Sequence, residues 1–312
     1  MCDSSDIYSL PQERGVKMED KDYLKRYKPE VLKKLHTVQL KMLKDFSEVC
    51  DKYGLPYFVV YGTAIGAVRH HGFIPWDDDI DVAMLREDYN KFFEIFENEM
   101  GDEYKLLTPQ IDGRYACTVT HIQRKGTRFV SEMSKDLKCE QCIFMDIFPF
   151  DKVANDDRKA SSQGKMANFW GKMLFLSGTA NPVIKYRGVK KRIAQLACST
   201  IHIVLKICHI TPQILYKKYL SVATAYNNDE ACEYVTSFEY TGCLKDKVKA
   251  KELFPVKKIV FEDLIVNIPA NNDELLRKIY GDYMKMPPEA ERVNHMPLII
   301  QFEGEEPIYE SK

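Results

Sequence analysis

The chain has 312 residues, 45% of them hydrophobic and 29% charged, enough to bury a sizeable core in one or two domains. A formal net charge of -1 leaves no basic footprint for nucleic acid, and no apolar run reaches the length of a membrane-spanning helix. The first 22 residues are polar, without the apolar centre of a signal peptide, and nine cysteines scattered without a framework spacing fit reduced thiols, so a cytoplasmic location is expected. Cys139 and Cys142 form one C-x-x-C with no second pair near it, which fits ordinary thiols better than a zinc knuckle.

Residues 29 to 53 place Val31, Leu35, Val38, Met42, Phe46, Val49 and Tyr53 on a stripe of helical period that stops at Gly54, predicting a helix laid on a sheet. YFVVY, residues 57 to 61, is of strand type, and Gly62-Thr63 follows directly, so the chain turns out of the sheet into a helix start whose unpaired N–H groups suit an anion. Four carboxylates, Asp77, Asp78, Asp79 and Asp81, then fall within five positions. Asp79 and Asp81 open the alternating run Ile80, Val82, Met84, and a strand would set them on one face roughly 7 Å apart, close enough to share one ion.

A calcium loop does not fit this cluster, because Val82 stands where that loop needs glycine and Asp88 where it needs glutamate. A solvated acidic turn is the ordinary reading of an isolated D-x-D. Here Trp76 precedes the acids and an apolar strand follows, so their mutual repulsion would be held against a core edge. Mg²⁺, with Mn²⁺ as a substitute, prefers oxygen ligands and would relieve it.

Residues 86 to 99 repeat a helical stripe with Tyr89, Phe92, Phe93 and Phe96, and short strands are expected near 104 to 107, 115 to 123 and 127 to 130. They lead to CIFMDIFPFD, residues 142 to 151, where Ile143, Met145 and Ile147 share one face and Phe144, Asp146 and Phe148 the other. An acid among aromatics needs a partner, which makes Asp146 the candidate third carboxylate.

Residues 156 to 228 read as helices, one carrying Phe169, Met173 and Leu174, the next Ile193, Leu196, Ile201 and Leu205, and a third opening at Pro212. Within them, residues 185 to 210 join a basic start to a mostly apolar tail. Such a segment either rests on a membrane surface or is a core helix with a cationic solvent face, and the second is the commoner fate in globular chains.

GTAIGAVRHHGFIPWDDDIDVAM resembles the signature of the LicD family, a branch of the nucleotidyltransferase superfamily with the DNA polymerase β-like palm. FMDIFPFD, YGDYMKMPPEAER at 280 to 292 and FPVKKIVFEDLIVNIP at 254 to 269 resemble the family too, so the likeness spans roughly residues 28 to 296. It implies a mixed α/β fold with a catalytic core over 28–151, a helical insert on the acceptor side over 152–250, and strands and a helix completing the core over 251–296. A polar extension (1–27) and a C-terminal tail (297–312) flank these.

The implied activity is Mg²⁺-dependent transfer of a phosphorylated alcohol, typically phosphocholine from CDP-choline, to a hydroxyl of a cell-surface glycan or its lipid-linked precursor, with CMP leaving. Such chemistry belongs to lipopolysaccharide, teichoic acid or capsule synthesis, at the inner face of the cytoplasmic membrane if the enzyme is peripheral. CDP-ribitol or CDP-glycerol are alternative donors. A nucleotidylyltransferase that releases pyrophosphate from a triphosphate, and a non-catalytic module of the same fold, are the alternatives in kind; the presence of all three acids argues against the last.

In this reading Asp79, Asp81 and Asp146 are catalytic and hold the metal, Asp146 either as ligand or as acceptor of the hydroxyl proton. Gly62, Thr63 and Arg69 contact phosphate, Arg69 having ion pairing with an aspartate as its equal alternative. Asp77 and Asp78 shape the substrate loop or bind metal-bound water, and Trp76, the aromatic nearest the metal, is either a member of a choline cage or, more commonly for an aromatic beside an acid loop, a packing anchor. His70 and His71, beside a loop glycine, are the weaker catalytic candidates.

Overall fold

The structure, a computed structural model, describes residues 27–309 apart from 185, 240–243, 245, 290, 291, 293, 295 and 296. The first helix, α1 (Pro29–Tyr53), has proline at its first turn and ends at Gly54, whose φ of 62° is the left-handed geometry that closes helices. It buries Leu35, Met42, Leu43 and Phe46, whereas Tyr53, the last residue of the expected stripe, is exposed.

The chain then runs through β1 (Phe58–Val59), α2 (Tyr61–His70), β2 (Asp81–Leu85), α3 (Arg86–Met100), β3 (Tyr104–Leu107), β4 (Thr120–Arg124), β5 (Arg128–Val130) and β6 (Phe144–Val153). The strand expected over 115 to 123 starts only at Thr120, because none of the described residues forms a ladder with those before it.

The main sheet has the order β1-β2-β6-β4-β3, with β2 and β6 parallel and the other neighbours antiparallel. The far end of β6 pairs with β7 (Tyr234–Thr236), which pairs with β8 (Val248–Lys249). Strand alternation divides the apolar residues between two faces. Val59, Val82, Met84, Ile122, Met145 and Ile147 join the core beneath α1 and α3. Phe58, Ala83, Phe148 and Phe150 form a second cluster with Val60, Tyr61 and Leu275.

Three helices follow β6: α4 (Asp157–Gly178), α5 (Gly188–Ile207) and α6 (Pro212–Ala223). Asp156 caps α4 by accepting the Lys159 N–H at 2.9 Å. α4 and α6 pack through Ala167, Leu174, Leu215, Tyr216 and Tyr219 into a core of their own. The expectation of a core helix over 185 to 210 is corrected: α5 buries only Cys198 and Leu205, and leaves Val189, Ile193, Leu196, Ile203 and Ile207 exposed.

A hairpin of β9 (Lys257–Phe261) and β10 (Leu264–Ile268) forms as expected, followed by α7 (Asn272–Tyr280). β11 (Ile299–Gln301) pairs with β5 and with β12 (Ile308–Tyr309), so the segment read as a tail contributes strands to a three-stranded sheet. The hairpin also braces the loop after α2. Glu262 donates its N–H to the His71 carbonyl at 2.7 Å, and its carboxylate accepts the Phe73 N–H at 3.0 Å.

Candidate functional site

The site is assembled where β2 begins, beside the middle of β6 and the start of α2. In the parallel ladder Asp81 stands directly opposite Asp146, and Asp146 stands opposite His121 of β4. Residues paired in this way point to one face, so Asp81, Asp146 and His121 form a row across three strands. Both aspartates are buried.

The Asp81 backbone is tied on both sides: its N–H donates to Thr63 Oγ1 at 2.8 Å and its carbonyl accepts the Val60 N–H at 3.1 Å. Asp146 donates its own N–H to the Ile80 carbonyl at 2.8 Å. His121 Nε2 lies 3.2 Å from Asp146 Oδ1 and 3.1 Å from the Tyr115 hydroxyl, and its ring stacks on Phe144 with centroids 4.2 Å apart. Burial holds its pKa down to about 3, so the imidazole beside Asp146 is neutral.

The acidic loop enters from the other side. Asp77, Asp78 and Asp79 each offer a carboxylate oxygen within 4.8 Å of the others, the one such grouping of metal-ligand type among the described residues. Helix α1 holds this loop: His36 Nε2 lies 2.7 Å from the Asp77 carbonyl, Gln39 Nε2 donates to the Asp78 carbonyl at 2.8 Å, and the Tyr27 hydroxyl donates to Asp78 Oδ2 at 2.8 Å. Gly62 lies next to it, and a Cβ there would stand 2.7 Å from Asp77 Oδ2 and displace that carboxylate. Tyr61, which starts α2, adopts a left-handed φ of 49° while its hydroxyl donates to buried Asp246 at 2.7 Å, a conformation worth noting at the mouth of a site.

Burial raises the phenol of Tyr280, the last residue of α7, well above its usual range, and the charges of Asp81, Asp77, Asp79 and Asp246 push it further.

The predicted residues therefore fall into distinct places. Asp81 and Asp146 are neighbours across the ladder. Asp79 precedes the strand rather than belonging to it, because β2 begins at Asp81, and its close companions are Asp77 and Asp78. Thr63 is buried, with its hydroxyl spent on the Asp81 amide, so it braces the strand. Asp78 turns one oxygen to Tyr27.

Arg69 resolves its two readings in an unforeseen way. Among the described residues it pairs with no aspartate; it donates to the Tyr283 carbonyl at 2.5 Å and to His70 at 3.0 Å. Burial and the nearby charge of Arg292 hold its pKa below the usual range. Arg292 in turn lies 4.7 Å over the Trp76 ring, so a cation of the protein itself covers the aromatic expected to help cage choline. His71 is exposed and serves through its carbonyl.

Sequence reasoning missed His121, Tyr280 and Arg292. His121 sits in a run without catalytic spacing, and only the ladder carries it to Asp146. Tyr280 and Arg292 were visible inside YGDYMKMPPEAER, a block whose resemblance was noted but whose side chains had no reason to be singled out.

An acidic loop, a strand pair of aspartates and a glycine turn at a helix start define the class. Residues 54–176 match the family described as LicD/FKTN/FKRP, nucleotidyltransferase domain, so the chain carries a LicD domain. Among curated proteins it is 29% identical over 271 residues to the lipopolysaccharide cholinephosphotransferase LicD of Haemophilus influenzae, covering 85% of this chain and 95% of that protein. Shorter matches, 42% over 72 residues and 40% over 67, join it to uncharacterized proteins of Rickettsia typhi and Rickettsia prowazekii; each covers less than a quarter of either chain.

Proposed function

We propose that this LicD-domain transferase moves phosphocholine from CDP-choline to a hydroxyl of a lipopolysaccharide or related lipid-linked glycan, with CMP as the leaving group. The observation that carries the reading is the Asp81–Asp146 pair fixed side by side across β2 and β6, with the acidic loop 77–79 leading directly into β2. The close relative's name supplies the transferred group and the acceptor class. We read the sheet β1-β2-β6-β4-β3 as the superfamily's palm.

The donor set fits Mg²⁺: every ligand offered is a carboxylate oxygen, Asp81 stands opposite Asp146 in the ladder, and Asp79 offers an oxygen within 4.8 Å of those of Asp77 and Asp78. Asp79 and Asp81 would hold the ion, with Asp77 bordering it. When bound, Mg²⁺ supplies charge neutralisation on the diphosphate of the donor.

The chain's own groups do the rest. The first turn of α2, which begins at Tyr61 and Gly62, would present N–H groups to phosphate. Arg69 and Arg292, two cations side by side near Trp76, offer positive charge to the diphosphate, and the Arg69 fork is suited to a bidentate grip. The acceptor hydroxyl oxygen bonds to the phosphocholine phosphorus as the bond to the CMP oxygen breaks, and Asp146 takes the hydroxyl proton. Neutral His121, 3.2 Å away, keeps that carboxylate oriented without competing for its charge.

The test is CMP release from CDP-choline with Mg²⁺ and a lipopolysaccharide acceptor, followed by mass analysis of the acceptor. Asp81→Asn and Asp146→Asn should each lower the rate by about 100-fold or more. Pyrophosphate from CTP in place of CMP from CDP-choline, or CMP release unaltered in both variants, would overturn the reading.

A further inference from the structure

α5 is an amphipathic helix worn inside out. Val189, Ile193, Leu196, Ile203 and Ile207 recur at helical spacing on one side, and all are exposed, Leu196 by 70% and Ile207 by 71%. The opposite side carries Cys198 and Leu205, the two buried residues, with Ala194 and Ile201 partly buried beside them against α4 and its neighbours. The fold therefore uses one face of the helix for packing and leaves a second apolar face, roughly 27 Å long at 1.5 Å per residue, open to solvent.

The segment of chain that carries this stripe holds charge of a single sign. Between Asp157 and Asp229 the sequence holds twelve lysines and arginines and no aspartate or glutamate, although the whole chain has a net charge of -1. On α5 itself Lys190, Lys191, Arg192 and Lys206 are exposed, so cations stand at both ends of the apolar row. Among the described residues no single helix is long and apolar enough to cross a membrane; α5 and α6 meet that composition only together, bent by 106°.

We propose that α5 lies in the surface of an anionic phospholipid bilayer, its apolar stripe seated at the acyl boundary and its cations among the lipid phosphates. Charge selects this occupant. A second copy docking the same face about a two-fold axis would bring two acid-free cationic surfaces together, whereas anionic headgroups neutralise them. The inference goes beyond the transfer reaction and stands apart from it, since vesicle binding needs neither donor nor acceptor.

The experiment floats the full chain with vesicles of phosphatidylcholine alone and with an equal mixture of phosphatidylglycerol and phosphatidylcholine. Binding is expected on the anionic vesicles and should weaken as salt rises. Leu196→Glu and Ile203→Glu should each lower partitioning about 10-fold or more. Replacing Lys190, Lys191 and Arg192 together by Gln should lower it about 100-fold, at about fivefold per cation.

Thermal melting of each variant establishes that it is folded, and Ile203→Trp gives a second readout, quenching by bromolipid beyond that of the wild-type tryptophans. CMP release with a water-soluble acceptor should be unchanged in the α5 variants, which separates loss of membrane binding from loss of catalysis. The proposal is overturned by absence of flotation on anionic vesicles at low salt, by flotation indifferent to Leu196→Glu and Ile203→Glu, or by a solution dimer that those substitutions dissolve.

Discussion

At the residue scale, Thr63 shows how a buried side chain can govern the site through the backbone it holds. It supplies the acceptor for the Asp81 amide, and a buried N–H left without one costs about 1–3 kcal/mol. Thr63→Val keeps the shape and removes the acceptor, so urea denaturation should show a loss of that order and CMP release should fall with it; a variant as stable and active as wild type would mean that the Asp81 backbone needs no such brace. Gly62→Ala acts from the other side of the loop. Its new methyl would stand 2.7 Å from Asp77 Oδ2 and displace that carboxylate, so activity should drop about tenfold or more in a chain that still melts cooperatively. Glu239 offers a prediction in pH. Burial, set against the attraction of Arg86, raises its carboxyl to about 8 from 4.5. The folded state therefore favours the protonated acid, and the associated stability is complete below pH 4.5 and lost as pH climbs through about 8. Glu239→Gln mimics the protonated form at every pH, so denaturation measured across that window should lose part of its downward slope, and a slope identical to wild type would contradict the assignment.

At the scale of elements, the contact that fixes α3 to the sheet is an ion pair. Arg86, at the first turn of α3, grips Asp151 of β6 through Nε and Nη2 at 2.8 and 2.6 Å, and Asp151 is almost wholly buried. Arg86→Leu would strand that carboxylate, at a cost of about 3–5 kcal/mol. Replacing both partners with apolar residues should restore much of the loss, a comparison that a double-mutant cycle in denaturant measures directly. Elements of this local kind were legible in the sequence. The bounds of α1 follow from its stripe and its glycine, whereas the β9–β10 hairpin is expected only through the family resemblance of 254–269. What local pattern leaves open is partnership. Residues 115–119 alternate as a strand would but find no ladder among the described residues, while the apolar side of α5 has the composition of a core helix and receives no cover from them. Period identifies a face and stays silent on what meets it.

For the whole molecule the same limit explains which parts of the site could be read. The acids of the 77–81 stretch and Asp146 stand out because each interrupts an apolar pattern, a signal carried in the chain itself. His121 and Tyr280 belong to the site only through convergence: the antiparallel register of β4 on β6 delivers one, and α7, some 200 residues after the acidic loop, delivers the other. A site gathered from α2, β2, β4, β6 and α7 is also a tie between distant parts of the fold, and its ligands should act as staples. Donor and Mg²⁺ bound only by the native state stabilise it by about 2.7 kcal/mol at 100 times the dissociation constant, which for a chain of this size corresponds to a rise in melting temperature of several degrees. Because the carboxylates repel the donor's diphosphate unless a cation lies between them, CDP-choline with EDTA should give little shift, Mg²⁺ alone a modest one, and the two together more than their sum. Asp81→Asn should abolish the surplus while Asp263→Asn, an exposed acid at the tip of the hairpin, leaves it intact. Additive shifts, or a surplus that survives Asp81→Asn, would separate the metal from the donor and remove the reason for gathering these five elements at one point.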